Sequence, residues 1–257
     1  MCGSQKRYKE LAKLALIDVV LLENLIGKQS NAFSIFEGTI PTEDFILADA
    51  KAKQNIASIE LIHTRRFLTS FWMGDYVKAN EYGKSASSLP SSKMPKLWSI
   101  YRECYRGIIA FHLYLQGEGE EWFEQGKEIL KKFEFWVTIS KDVFESKLLL
   151  LQAEHSAVSC DVKKARKLFH ASIMAAKDHG YIHEQGLAFE RYGNFLESLV
   201  ETTEASLCYK SAHVCYVQWG GLRIAEHVWN KYNLGGLNQD VHYLTTAAAT
   251  VKHDRDD

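Results

Sequence analysis

Four groups of residues have types and spacings that could do chemistry. His179 and His183 stand four apart with Glu184 adjacent, which on a continuous helix would make half of a metal site. Gly180 falls between them as a helix stop, and neither an HExxH pattern nor a third ligand is in view, so the expectation is a turn with solvated imidazoles. Cys208, His213 and Cys215 form a second group. On a helix the two thiols lie two turns apart on one face while His213 points away, which favours small core thiols. Glu154 and Glu190 hold corresponding places in successive helices, and buried carboxylates there could be catalytic. No nucleophile and base assemble around them, so each is expected to accept hydrogen bonds from a neighbouring helix pair, with Lys147 or Arg191 as possible ion partners. The run Lys163, Lys164, Arg166 and Lys167 could engage an acidic partner or a phosphate, although such a run is usually just a solvated helix face. Those four cations are the candidate partner-binding residues. No residue is assigned to catalysis, a cofactor or a metal, because the chain also lacks a GxxxxGK[ST] loop and the kinase HRD and DFG motifs.

Composition narrows the class further. The chain has 257 residues and a formal net charge of -1, from 31 Lys+Arg and 32 Asp+Glu, so no global field draws it onto nucleic acid or an anionic membrane. The 46% hydrophobic content is that of a folded globular protein. Five cysteines without a CxxC pair suit free thiols in a reducing compartment, so a cytoplasmic location is expected. The most apolar early stretch, from Leu11 to Ile26, is interrupted by Lys13, Asp18, Glu23 and Asn24 before it reaches the ~20 residues of a membrane span.

The elements that must position these groups are helices, since apolar residues recur at the 3.6-residue spacing and no alternating strand pattern occurs. Leu11, Ala12, Ala15, Val19, Leu22 and Ile26 predict a first helix, followed by an ordered loop to about residue 49. Ile56, Ile59, His63, Phe67, Ser70 and Phe71 predict a helix that stops at Gly74, where Asp75 caps a mate through Ala79, Gly83 and Ala86. A second pair uses Leu97, Tyr101, Tyr105, Ile108, His112 and Leu115, then Trp122, Gly126, Ile129, Leu130, Phe133 and Val137. A third starts at a capping box of Asp142 and Glu145, runs through Phe144, Leu148, Leu151 and Val158, and returns from an Asp161 cap with Ala165, Leu168, Phe169, Ser172, Ile173 and Ala176 inward. A fourth uses Ala188, Tyr192, Phe195, Leu196 and Leu199, then Ala205, Cys208, Tyr209, Ala212 and Tyr216. Trp98, Trp122, Trp136, Trp219 and Trp229 lie on or near core-facing stripes and are read as packing residues.

Aligning the second helices superimposes Ala79, Gly126, Ala165 and Ala205, small residues that let two helices approach closely. The expected fold is all-α, a solenoid of antiparallel helix pairs: residues 1–50 an N-terminal helix and ordered loop, 51–234 the repeats, and 235–257 a tail or linker. Ala205, Tyr209 and Ala212, and likewise Ala165, Phe169 and Ser172, resemble the small-aromatic-small spacing of tetratricopeptide repeats. From about Asp49 to Tyr232 the chain also resembles the helical region downstream of the AAA-type ATPase module in multi-sensor serine/threonine and histidine kinases. Phe144, Lys147, Leu151, Ala153 and Glu154 carry that likeness, with Ala165 to Ala176, Ala188, Glu190, Phe195, Tyr209, Ala212, Tyr216, Trp219 and Gly220. Past that Trp-Gly pair the chain departs from the family, with Gly221-Leu222-Arg223-Ile224 in place of a small residue and Ala-Lys. The resemblance implies a non-catalytic regulatory arm that contacts a protein partner or an adjoining ATPase or kinase domain, binding a peptide or helix on its concave face. Its alternative implication is an arm that senses a small effector.

Overall fold

A computed structural model describes residues 43–89 and 96–236. Among these, ten α-helices and one 3-10 turn, with no strand, make an all-α protein. The helices are α1 (Glu43–Ala52), α2 (Ile56–Trp72), α3 (Tyr76–Ser87), α4 (Lys96–Leu115), α5 (Glu120–Ile139), α6 (Lys141–Val158), α7 (Val162–Asp178), α8 (Ile182–Ser198), α9 (Thr202–Trp219) and α10 (Leu222–Lys231). The expected helix at Leu11 to Ile26, the loop before residue 43, the Ser/Pro turn at 90–95, the side chains of Leu97 and Trp98, and the tail after residue 236 lie outside the described residues.

Consecutive helices pack as adjacent pairs, α2 with α3, α4 with α5, α6 with α7 and α8 with α9. The first helices also touch in sequence, α2 with α4, α4 with α6 and α6 with α8. Ala79, Gly126, Ala165 and Ala205 are all buried at the helix contacts, as the alignment of second helices requires. A Cβ added at Gly126 would lie 2.5 Å from the Phe111 ring, so the α4–α5 crossing tolerates no side chain there. One apolar cluster runs from Phe67 to Leu234, while Ile46, Leu47 and Ala50 of α1 form a smaller one with Ile59, Leu61 and Ile62.

The turns share one device. At Gly74, Cys160, Gly180 and Val200 the backbone is left-handed, and the residue that follows donates its N–H to a carbonyl five positions back: Asp75 to Ser70 at 2.9 Å, Asp161 to Ser156 at 2.9 Å, Tyr181 to Ala176 at 2.8 Å and Glu201 to Leu196 at 3.0 Å. This closes each helix end and sends the chain back along it. Asp75 and Asp161 then cap the next helix through the N–H groups of Lys78 and Lys164, both at 3.1 Å. Glycine announced two of these turns; nothing in the residue types announced Cys160 or Val200. Val200 has φ +65° and is 82% exposed, so its β-branched side chain strains the backbone without packing in return. Val200→Gly therefore raises the unfolding free energy by up to about 1 kcal/mol, the left-handed strain released less the added chain entropy, readable in a urea titration.

Three local expectations need correction. Residues 43–49 are helical rather than loop, because Ile46, Leu47 and Ala50 find a buried face against α2. Asp142 and Glu145 do not form a capping box. Only Ser140 separates α5 from α6, so Asp142 already lies inside the helix, and Glu145 instead reaches Lys141 and His179, each at 3.3 Å. Leu115 is exposed at the end of α4 rather than sharing its inner face. Trp219 and Trp229, though partly exposed, pack as expected, Trp219 on Trp72 and His183 and Trp229 on His213, and Trp72 is a buried core residue. From Leu222 to Lys231 the chain forms α10 and buries Ile224, Ala225 and Val228.

Candidate functional site

Most of the buried charge sits on the first helices of the pairs, where it joins each helix to the next. Arg102 of α4 donates to Glu60 and Thr64 of α2 at 3.3 and 3.1 Å. Lys147 of α6 donates to Glu184 of α8 at 2.5 Å, and Ser146 donates to the second oxygen of the same carboxylate at 2.5 Å. About two turns further along, Arg191 grips Glu154 through two bonds of 2.6 and 3.0 Å. Glu190 accepts from the Tyr216 and Tyr232 hydroxyls, both at 3.0 Å, and from Lys231 at 3.4 Å. Sequence reasoning named Glu154, Glu190, Arg191 and Lys147. It named Glu184 only beside His179 and His183, in the metal reading, and not as the partner of Lys147.

These pairs are structural in character. Lys147 and Glu184 keep only 5% and 6% of their side-chain surface, and Arg191 and Glu154 only 5% and 4%, so each charge depends on its partner in place of water. The Lys147 ammonium also lies 5.0 Å from the centres of both the Tyr101 and Tyr181 rings. Burial, reinforced by Glu184, pushes the Tyr101 hydroxyl above its usual range, and burial raises the Cys104 thiol likewise, so neither supplies a nucleophile near neutral pH. The cavity among Tyr101, Cys104, Lys147, Ser172 and Glu184 has room for about one water molecule.

The array also closes on itself. Trp72, at the end of α2 in the first pair, packs edge-on to Tyr216 at 5.6 Å and against Trp219 at 5.8 Å, both in α9 of the fourth pair. Arg191 donates to the Tyr76 hydroxyl of α3 at 3.4 Å. The face expected to be a concave groove is therefore filled here by the chain's own side chains.

The two histidines of the first candidate group are pulled apart by their helix ends. His179 sits 3.3 Å from Glu145, and His183 is not a solvated imidazole but stacks on Trp219 at 5.1 Å, with its pKa lowered mainly by burial. His213 turns to the Ala225 carbonyl at 3.0 Å, while Cys215 is buried and Cys208 half-buried, with burial lifting both thiols to about 11. Among the described residues no three His, Cys, Asp or Glu side chains are placed to hold a metal ion.

His112 makes the packing pH-sensitive. It meets Tyr76 edge-on at 4.7 Å, and burial, aided by Arg191 and Lys231, drives it down to about 4 from the ordinary 6.5. The unfolded chain thus takes up this proton first. Stability is complete above 6.5, falls as pH drops toward about 4, and has no further contribution from this group below that. The urea midpoint of the wild type falls across that window, and His112→Asn reduces the fall.

On the outside, Lys163, Lys164 and Lys167 of α7 are exposed, whereas Arg166 is half-buried and joins Glu201, just ahead of α9, with Glu204 of α9 at 3.6 Å. The sequence run is thus divided: three cations face solvent and one ties two helix pairs together. Among the described residues no helix is long and apolar enough to cross a membrane. The geometry defines an all-helical protein of sequentially packed pairs with an ionic interior. The chain matches no protein-family model, and neither the curated proteins nor the solved structures yield a significant match.

Proposed function

We propose that the chain is a non-catalytic regulatory module, a short tetratricopeptide-like solenoid that binds a protein partner on its outer surface. One observation carries this reading: the interior carboxylates and cations that could have done chemistry are taken up by each other, in the Lys147–Glu184 and Arg191–Glu154 pairs. The contact of each pair with the next, and of successive first helices with one another, supports the solenoid description. The filled inner side moves the contact surface to the second helices, α5, α7 and α9, which flank the row of first helices. An adjoining ATPase or kinase domain, as the family resemblance implies, is one form such a partner takes, and a cytoplasmic setting accords with the free thiols that Cys104, Cys160, Cys208 and Cys215 present among the described residues. The effector-sensing alternative draws no support from the cavity beside Glu184.

The test is lysine-directed cross-linking of the full chain in its native lysate, followed by affinity capture and peptide mapping. The expected result is a specific protein cross-linked through lysines of the second helices. Capture of no specific protein, or a turnover activity abolished by Glu184→Gln in a variant that still folds, removes the proposal.

A further inference from the structure

The outer face of α7 gathers more unpaired lysines than any other described helix. Lys163, Lys167, His170, Met174 and Lys177 recur at alternating spacings of four and three, so they form one stripe along the helix, with Lys164 at its edge. All six are exposed, and Met174, in the middle, is 51% exposed. Several other surface lysines are neutralised locally, as Lys53 is by Asp49, Lys78 by Asp75, Lys127 by Glu124 and Lys132 by Glu103, and the exposed Lys51, Lys84 and Lys131, which pair with no carboxylate among the described residues, lie on three different helices. No carboxylate among the described residues pairs with Lys163, Lys164, Lys167 or Lys177. The helix carries five cationic side chains and one carboxylate, Asp178, in a chain of net charge -1.

Resting on the interaction-module reading, we infer that this stripe docks an acidic amphipathic helix of a partner protein, one whose carboxylates flank an apolar residue seated on Met174. The free cations call for negative charge, and a methionine at their centre offers adaptable apolar contact that a phosphate backbone would leave unused. A nucleic acid or an anionic membrane fits less well, because the charge is only one helix wide and α5, the second helix of the preceding pair, begins with the exposed carboxylates Glu120, Glu121 and Glu124. From Lys163 to Lys177 the stripe spans about 21 Å, the length of four helical turns in the partner.

The probe is a labelled 15-residue helical peptide, with glutamates at i, i+4 and i+7 around a single leucine, titrated with the full chain and followed by fluorescence anisotropy. Parallel arms use the same peptide with glutamine for leucine, a 15-nucleotide single-stranded RNA, and phosphatidylserine vesicles. Binding of the leucine peptide is expected to weaken about tenfold in K163E/K167E/K177E, from the loss of three exposed charge pairs, and measurably in Met174→Ala, with circular dichroism unchanged. Tighter binding of RNA or vesicles than of peptide, equal binding of the glutamine peptide, or an undiminished affinity in the triple variant overturns the inference. A lysate partner cross-linked only to α5 or α9 also overturns it while leaving the module reading intact; capture of no partner at all removes that reading instead.

Discussion

Arg191→Met lowers the unfolding free energy by about 3–5 kcal/mol, the cost of leaving a buried charge without its partner. Its guanidinium donates twice to Glu154 and once to Tyr76, so the truncated variant strands a carboxylate that has 4% of its side-chain surface to offer water. Glu154→Leu alone is expected to cost a similar amount, because it strands the guanidinium instead. The double variant Glu154→Leu/Arg191→Met recovers most of the loss, since a well-packed apolar pair of similar volume often does as well as the ion pair it replaces. Urea unfolding of the four proteins provides the comparison. A cost below about 1 kcal/mol for Arg191→Met would mean that water reaches Glu154, and the ionic interior would then not hold α6 to α8.

Trp72→Ala is the second large effect, about 3–5 kcal/mol for removing a buried aromatic side chain. Its diagnostic value lies in where its neighbours are. An open array of helix pairs has only nearest-neighbour coupling, so a change in the first pair and one in the fourth would add independently. Here Trp72 and Trp219 lie in ring contact across that distance, and the cycle of Trp72→Ala, Trp219→Ala and the double variant should show a coupling of about 0.5–1.5 kcal/mol. A coupling of zero within error would mean that the array opens in solution and that its inner face is accessible to a partner.

The helix pairs were legible because their signals are short-range. A stripe such as Ala165, Phe169, Ser172, Ile173 and Ala176 needs only the 3.6-residue period, and Asp75 or Asp161 caps its helix through an N–H three residues away. The close-contact positions at Ala79, Gly126, Ala165 and Ala205 were legible for the same reason, since a small residue at a fixed offset recurs in each pair. The Asp142–Glu145 cap failed within that same short range, because its assignment required knowing that α5 runs to Ile139 and leaves a single linking residue.

The site was legible only as a set of residue types. Glu154 and Glu190 stood out by their register, yet whether each carboxylate meets Arg191, Lys147 or a tyrosine depends on how far one helix slides along another. That slide is decided by packing between residues more than 30 positions apart, as in Lys147 with Glu184. The sequence by itself therefore determined the all-helical class, the pairing of neighbours and most of the turns, all of which rest on interactions within one or two helical turns. Tertiary structure alone decided the ionic partners, the contact between first and fourth pairs, and which of the α7 cations stay free, because each depends on the accumulated crossing of successive helices, to which no local pattern corresponds.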